Sequence, residues 1–450
     1  LGASPGTFEN ALMRLKIPYC LGLAVLMTAS LFGQTLPSPA GVGTNVLSLD
    51  AVVSEVLSNN PSLKASRANW EAVQERVPQA RAWEDPTLGF DSLADRFVHQ
   101  PPNAMTDQKL MLEQALPLSG KNRLQGKAAS AEAVSAFEQF HREQLDAVAK
   151  ARIAYFQLAN AYAQLEVNRQ AIDLLKQFAD ISRDKYKVGT HSESDVLNAE
   201  TALAKAEEDS ADIERQISEG QLELNRLMNR PPRNPLAHPE ALTFQPFALS
   251  LEKIEGLALA HRPELFLAQM KIEAAQARLE VARKGWFPDP TFRVEADRYN
   301  DAAQAVSEVN AGFSISLPWF NRAKYKAGIR ENEKMLESAD YELKAARIDT
   351  LSMVENQFIE VRTFHHHTEL YKDKLLPLAE QTANAKRLGY QNDKENFLDL
   401  LTAQQTVQEM ESMYWEHLMH YRIALAEMES LVGTSLEPAI SPAEHSHHSQ

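Results

Sequence analysis

The strongest constraint on this chain is a heptad seam that occurs twice. One track of the first copy runs Val196, Leu203, Ser210, Ile217, Leu224; the other runs Ala199, Ala206, Ile213, Gly220, Leu227. Tracks of this spacing stay on one face only when the segment is a helix packed along another helix. The second copy is Leu400, Val407, Tyr414, Tyr421, Met428, with Ala403, Met410, His417, Ala424, Leu431. The two copies match position for position at one constant offset. A turn precedes each: Tyr186-Lys187-Val188-Gly189-Thr190 and Tyr390-Gln391-Asn392-Asp393. Ser192 or Ser194 can cap the first helix, and Glu193 and Asp195 suit its first turn. A chain of 450 residues with this duplication is one architecture of two similar halves, rather than two or three unrelated domains.

The duplication extends upstream of the seams. A helical segment from Leu49 contains Asn60-Pro61, where two helices should meet. Its counterpart from Leu249 contains Arg262-Pro263. Each then reaches Asp-Pro-Thr, at Asp85-Pro86-Thr87 and Asp289-Pro290-Thr291, and the period changes to two. Phe292, Val294 and Ala296 alternate with Arg293, Glu295 and Asp297. Val309, Ala311, Phe313, Ile315 and Leu317 alternate with Asn310, Gly312, Ser314 and Ser316. This is a strand hairpin with one apolar and one polar face. A poorer version carries Leu88, Phe90, Leu110, Leu112 and Leu116 around a tip at 99–103. Both hairpins end in Leu-Pro followed by basic residues, Lys121 and Arg123 or Arg322 and Lys324.

These marks divide the chain as follows. Residues 1–33 are an upstream extension and signal peptide, and 34–48 a linker. The first repeat is 49–230, with strand hairpin 87–116 and long helices 121–186 and 193–229. A connection spans 231–248. The second repeat is 249–433, with strand hairpin 291–317 and long helices 321–388 and 394–432. A histidine-containing tail occupies 434–450.

The helix from Lys121 runs about sixty-five residues without proline, roughly 100 Å. One seam is Val148, Ala151, Tyr155, Leu158, Tyr162, Leu165, Ile172, Ala179, with Arg169 breaking it. A second track, Ile153, Val167, Leu174 and Ile181, lies nearly opposite. Two opposed seams need a neighbour on each flank, as in the wall of a tube. Burial in a large bundle is the alternative, but it leaves less room for the Lys, Glu and Gln between the seams.

From Met13 the sequence reads as a secretory signal: Arg14, Lys16, an apolar run to Phe32, then cleavage near Gly33 or Gln34. A membrane anchor is the competing reading; the run is short for a span. The only cysteine, Cys20, lies inside that run, so no disulfide is expected. The net charge of −15 argues against nucleic acid as a partner. There is no nucleophile with its base, no phosphate loop and no catalytic metal motif, so neither an enzyme nor a cofactor is expected.

Four amphipathic strands are too few to close a barrel, and an open edge in lipid leaves backbone groups unpaired. Several copies must supply the rest. The order of helix, strand hairpin, long helix, turn and returning helix, all repeated from Leu47 to Gly433, resembles the TolC-like outer-membrane efflux protein family. The resemblance implies a mainly α fold with a small β part. Duplicated coiled-coil hairpins form an α-helical barrel, and four strands per chain complete a twelve-stranded trimeric β-barrel. It implies a homotrimer in outer-membrane lipid reaching into the periplasm, docked to a periplasmic adaptor and an inner-membrane pump.

The same resemblance assigns residues. The adaptor-contacting tips correspond to Val188, Gly189 and Thr190, and to Asn392, Asp393 and Lys394. Asp399 matches an acidic aperture position, and Asp195 an aspartate that helps hold the aperture closed; Thr402 stands where a further acid is expected. Helix-start stabilisation is the plainer reading of both aspartates. Histidine clusters at 365–367, at His417 and His420, and at His445, His447 and His448 on the tail; imidazoles bind Zn²⁺, Cu²⁺ or Co²⁺. The tail histidines are weak metal candidates, the 365–367 triplet suits a solvated surface, and His417 suits a core histidine bonded to a neighbour. The chain looks most similar to the cobalt–zinc–cadmium efflux branch. A multidrug or type I secretion duct is the alternative, and a periplasmic coiled-coil adaptor a more distant one.

Overall fold

A computed structural model describes residues 46–92, 106–189, 192–299, 303–392 and 394–436. The signal-like segment, Cys20, the first strand tip, Thr190, Asp393 and the tail histidines His445, His447 and His448 lie outside them. The first half contains α1 (Leu49–Asn59), α2 (Pro61–Gln74), α3 (Arg76–Arg81), β1 (Thr87–Ser92), β2 (Thr106–Ala115), α4 (Lys121–Lys187) and α5 (Glu193–Leu227). The second contains α6 (Leu251–His261), α7 (Pro263–Lys284), β3 (Pro290–Tyr299), β4 (Glu308–Ile315), α8 (Arg322–Leu370), α9 (Leu376–Gln391) and α10 (Phe397–Val432). No helix among the described residues is long and apolar enough to cross a membrane.

The heptad seams behave as their spacing requires: none of their twenty positions is exposed. Both α5 and α10 pack along α4 yet barely touch each other, so α4 has a neighbour on each flank. The short helices extend these neighbours end to end. Asn60 accepts the Ser62 N–H at 2.9 Å to cap α2, and its amide donates at 3.0 Å to the Leu227 carbonyl that ends α5. Gly433, after α10, lies against the His261–Arg262 backbone that precedes α7. The wall therefore has four columns: α5 with α2 and α3, then α4, then α10 with α7, then α8 with α9.

The 231–248 connection is tied across these columns by two tyrosines. The Tyr155 hydroxyl donates to the Leu47 carbonyl at 2.8 Å and accepts the Glu240 N–H at 2.9 Å. The Tyr421 hydroxyl donates to the Gln245 carbonyl at 2.7 Å. Burial pushes the Tyr421 phenol up to about 12, so it remains a donor.

Three local expectations are corrected. The long helix expected over 321–388 is not continuous. A 3₁₀ turn, Pro318–Asn321, precedes α8, and a π turn, Tyr371–Leu375, separates α8 from α9. Pro377 lacks an N–H and crowds the preceding turn, which the wider π turn accommodates. The expected two helices after Leu49 are three, since Pro78 starts a new segment at Arg76. Finally, Ser192 does not cap α5 with its side chain; its hydroxyl pairs with that of Ser194 at 2.7 Å.

The sheet is an antiparallel meander in the order β1-β2-β3-β4. The central β2–β3 pairing joins the two halves, and β1 and β4 are its edges.

The α10–α7 joint has a glycine requirement. Gly433 has φ 83°, and a Cβ there would sit 2.6 Å from the His261 carbonyl oxygen. Gly433→Ala should destabilise the protein by at least about 1–2 kcal/mol. Gly256→Ala, in open space inside α6, should instead stabilise by about 0.5–1 kcal/mol. Denaturant unfolding in detergent checks both signs.

Candidate functional site

The register divides the sheet into two faces. Leu88, Leu112, Val294 and Ala311 form one cross-strand row, and Phe90, Leu110, Ala296 and Val309 the next. Phe292 pairs with Phe313 on the same face. This face is exposed, with Leu88 at 71% and Phe313 at 77%. Strand β4 ends at Ile315, so Leu317 falls outside the alternation expected of it; Leu116 likewise lies beyond β2.

The opposite face is ionic. The Lys109 ammonium lies 2.8 Å from Glu295, whose carboxylate also receives Arg293 at 2.8 Å. Arg293 reaches Glu113 at 3.7 Å, and Asn310 donates to Asp297 at 3.3 Å. In register, Asp91, Glu113, Glu295, Asp297 and Glu308 share this face with Lys109 and Arg293. Five acids against two bases leave a balance of −3 per chain. The first hairpin's share, Asp91, Lys109 and Glu113, is legible only once its strands are set against β3.

The sheet joins the helices through Asp289 of the second Asp-Pro-Thr. Its carboxylate accepts the Ser119 N–H at 2.8 Å, the Ser119 hydroxyl at 2.9 Å and the Lys121 ammonium at 3.0 Å. Around this joint Trp83, Phe287, Trp319 and Phe320 are exposed. Aromatic rings gather in this way where an apolar surface meets a polar medium.

At the other end, the two hairpin tips share one apolar cluster. Phe178 and Phe397 meet edge to face at 6.0 Å, and Tyr390 packs on Phe397 at 5.9 Å. The Lys185 ammonium lies 4.2 Å over the Tyr390 ring, linking α4 to α9. Val188 ends α4, and Gly189 takes the left-handed conformation expected of it, φ 78°. Asp195 stands half-buried in the first turn of α5, its N–H on the Ser192 carbonyl at 3.2 Å.

Asp399 sits in the first turn of α10, its N–H on the Asn396 side chain at 2.8 Å. Lys386 bridges Glu395 at 2.9 Å and Asp399 at 3.8 Å. Gly389 makes room for this latch, since a Cβ there would lie 2.4 Å from Glu395 Cγ. Neither Lys386 nor Glu395 stands out in the sequence, because both look like ordinary solvated helix charges. Asn392 and Lys394 flank the same turn, with the Lys394 N–H on the Gly389 carbonyl at 2.9 Å.

The histidine triplet is dispersed, because consecutive helical residues point about 100° apart. His365 reaches Glu369 at 3.5 Å and packs against Phe244, and His366 is exposed. His367 faces His417, with ring centres 4.9 Å apart. The expected hydrogen bond of His417 is absent: its Nδ1 is buried without a partner. Desolvation, with His367 alongside, lowers its pKa. No group of three or more His, Cys, Asp or Glu side chains is placed to hold a metal among the described residues.

The latch has a pH dependence of fixed sign. Hydrogen bonding to Lys386 lowers the Glu395 pKa from its ordinary 4.5. The contribution is therefore complete above about pH 4.5 and lost as pH falls through the lowered value. Hydrogen-exchange protection across residues 386–399 should drop on acidification into that range. In Glu395→Gln it should already be low at neutral pH and change little with acid.

The family model described as outer membrane efflux protein matches this chain twice, over residues 52–230 and 256–434. The chain is 25% identical to the cobalt-zinc-cadmium resistance protein CzcC of Cupriavidus metallidurans, covering 88% of this chain and 93% of that protein. It is 23% identical to the toluene efflux pump outer membrane protein TtgF of Pseudomonas putida, over 78% of this chain and 76% of that one. Its fold matches the CmeC outer membrane channel of Campylobacter jejuni with a TM-score of 0.72 at 14% identity, covering 93% of this chain and 95% of that one. Two matched halves, the meander sheet and the four-column wall lead to one assignment: this chain belongs to the outer membrane efflux protein family, channels that span the outer membrane into the periplasm.

Proposed function

We propose that the chain is one subunit of a homotrimeric exit duct that passes heavy-metal cations to the exterior, fed by an inner-membrane pump through a periplasmic adaptor. The observation that carries the assembly is the unfinished sheet. Among the described residues, strands β1 and β4 each have a free edge, and unpaired backbone groups in lipid cost several kcal/mol apiece. Three copies give twelve strands, enough to close around a lumen. The free flank of α8 supports the same arrangement. Met335, Tyr341, Ile348, Met353 and Ile359 recur along it, exposed in one chain, and suit a neighbouring helix.

Two observations favour cationic cargo. The polar sheet face has a balance of −3, or −9 for three chains, which attracts cations. The resemblance to CzcC extends over most of both chains. The likeness to TtgF keeps a multidrug or secretion duct as the second reading. In a strain lacking the protein, tolerance to cobalt, zinc and cadmium should fall and return with the gene. Altered drug susceptibility with unchanged metal tolerance would overturn the cargo assignment.

Val188, Gly189 and Thr190, with Asn392, Asp393 and Lys394, form the adaptor-facing tips in this reading, and Asp195 and Asp399 belong to the aperture. Threefold symmetry brings three copies of Asp399 together, each tethered by its own Lys386. In planar bilayers Asp399→Ala should lower cation selectivity and weaken block by trivalent cations. Asp195→Ala should raise open conductance with selectivity kept. Wild-type selectivity and block in Asp399→Ala would leave that residue a helix-start charge only.

A further inference from the structure

We propose that His367 and His417 form a binding site for a divalent cation of the zinc or copper class, clamping α8 to α10 beside the π turn. Both Nδ1 atoms are buried without a hydrogen-bond partner. A direct bond between them would satisfy both, and none forms. A buried polar atom that the protein leaves unpaired can be satisfied by a water or an ion. Two imidazoles on one tetrahedral zinc, each nitrogen at about 2.0 Å, place their ring centres about 5 Å apart. The observed separation is 4.9 Å.

Aromatic rings flank the pair. The Tyr371 ring lies 4.8 Å from His417 and Phe364 lies 6.3 Å from it, forming an aromatic wall. The other nearby histidines are engaged elsewhere: His420 stacks on Phe364 at 5.0 Å and reaches Glu416 at 3.8 Å, and His365 reaches Glu369. The protein thus supplies two ligands, and water completes the shell. This open coordination gives reversible rather than permanent binding. Tyr371 opens the π turn, and π turns recur at functional sites. The site goes beyond the exit-duct reading and does not depend on what the duct carries.

The test uses full-length protein in detergent, with His445→Ala, His447→Ala and His448→Ala to silence the tail. Calorimetry with Zn²⁺ should give one site per chain in the micromolar range. His367→Ala or His417→Ala should weaken it at least tenfold, since even outer-shell changes cost about 10–100-fold at metal sites. His366→Ala should leave it unchanged. Zinc binding unaltered by loss of either His367 or His417, or no binding at all, overturns the proposal. Should the variants fail to assemble, diethylpyrocarbonate footprinting of the unsubstituted chain decides. Zn²⁺ should slow modification of His367 and His417 but not of His366; equal or absent protection also overturns it.

Discussion

Backbone hydrogen bonding at the two edges of a four-stranded sheet governs most of this architecture. Among the described residues, the meander satisfies its interior strands and leaves β1 and β4 half-paired. In water such edges are tolerable; in lipid they are not. The same incompleteness appears in the helices, where α4 has neighbours on both flanks and α8 keeps an apolar flank bare. Sheet and wall are both unfinished within one chain. Internal duplication then reads as a geometric economy, with two copies of one hairpin laid side by side in one chain.

The joint between the two parts depends on a handful of polar bonds. Asp289 gathers Ser119 and Lys121 at the point where the chain leaves the sheet and starts α4. The acid comes from the second half and its partners from the first, so this link ties the repeats together where the sheet meets the helices. Asp85, its counterpart by sequence, has no comparable bond among the described residues. The repeats are thus similar in outline and unequal in chemistry, which the poorer alternation of the first hairpin already indicated.

Much of this was legible in the sequence because it is periodic. The seams at Val196–Leu227 and Leu400–Leu431, the alternation at Phe292–Ile315 and the Asp-Pro-Thr repeats each have a spacing that admits one backbone geometry. What escaped was relational. Nothing near Asp399 announces Lys386, since a lysine thirteen residues away reads as a surface charge until the turn folds it back. The π turn follows from Pro377, a residue that a long apolar seam conceals. The meeting of His367 with His417 needed the crossing of two helices fifty residues apart in sequence. The triplet at 365–367 drew attention to itself while only one of its members reaches that crossing.

The columns made of two helices end to end have a mechanical consequence. No peptide bond connects α10 to α7 or α5 to α2 at their junctions; a side-chain amide and a close backbone approach hold them. A continuous helix transmits torque along its length, and a butt joint transmits very little. Twisting of the lower coils is therefore decoupled from the sheet in two columns of each chain and transmitted only in the other two. Within those, α4 is unbroken, while the π turn gives the α8–α9 column a compliant point. A twist applied at the tips therefore reaches the sheet chiefly through α4.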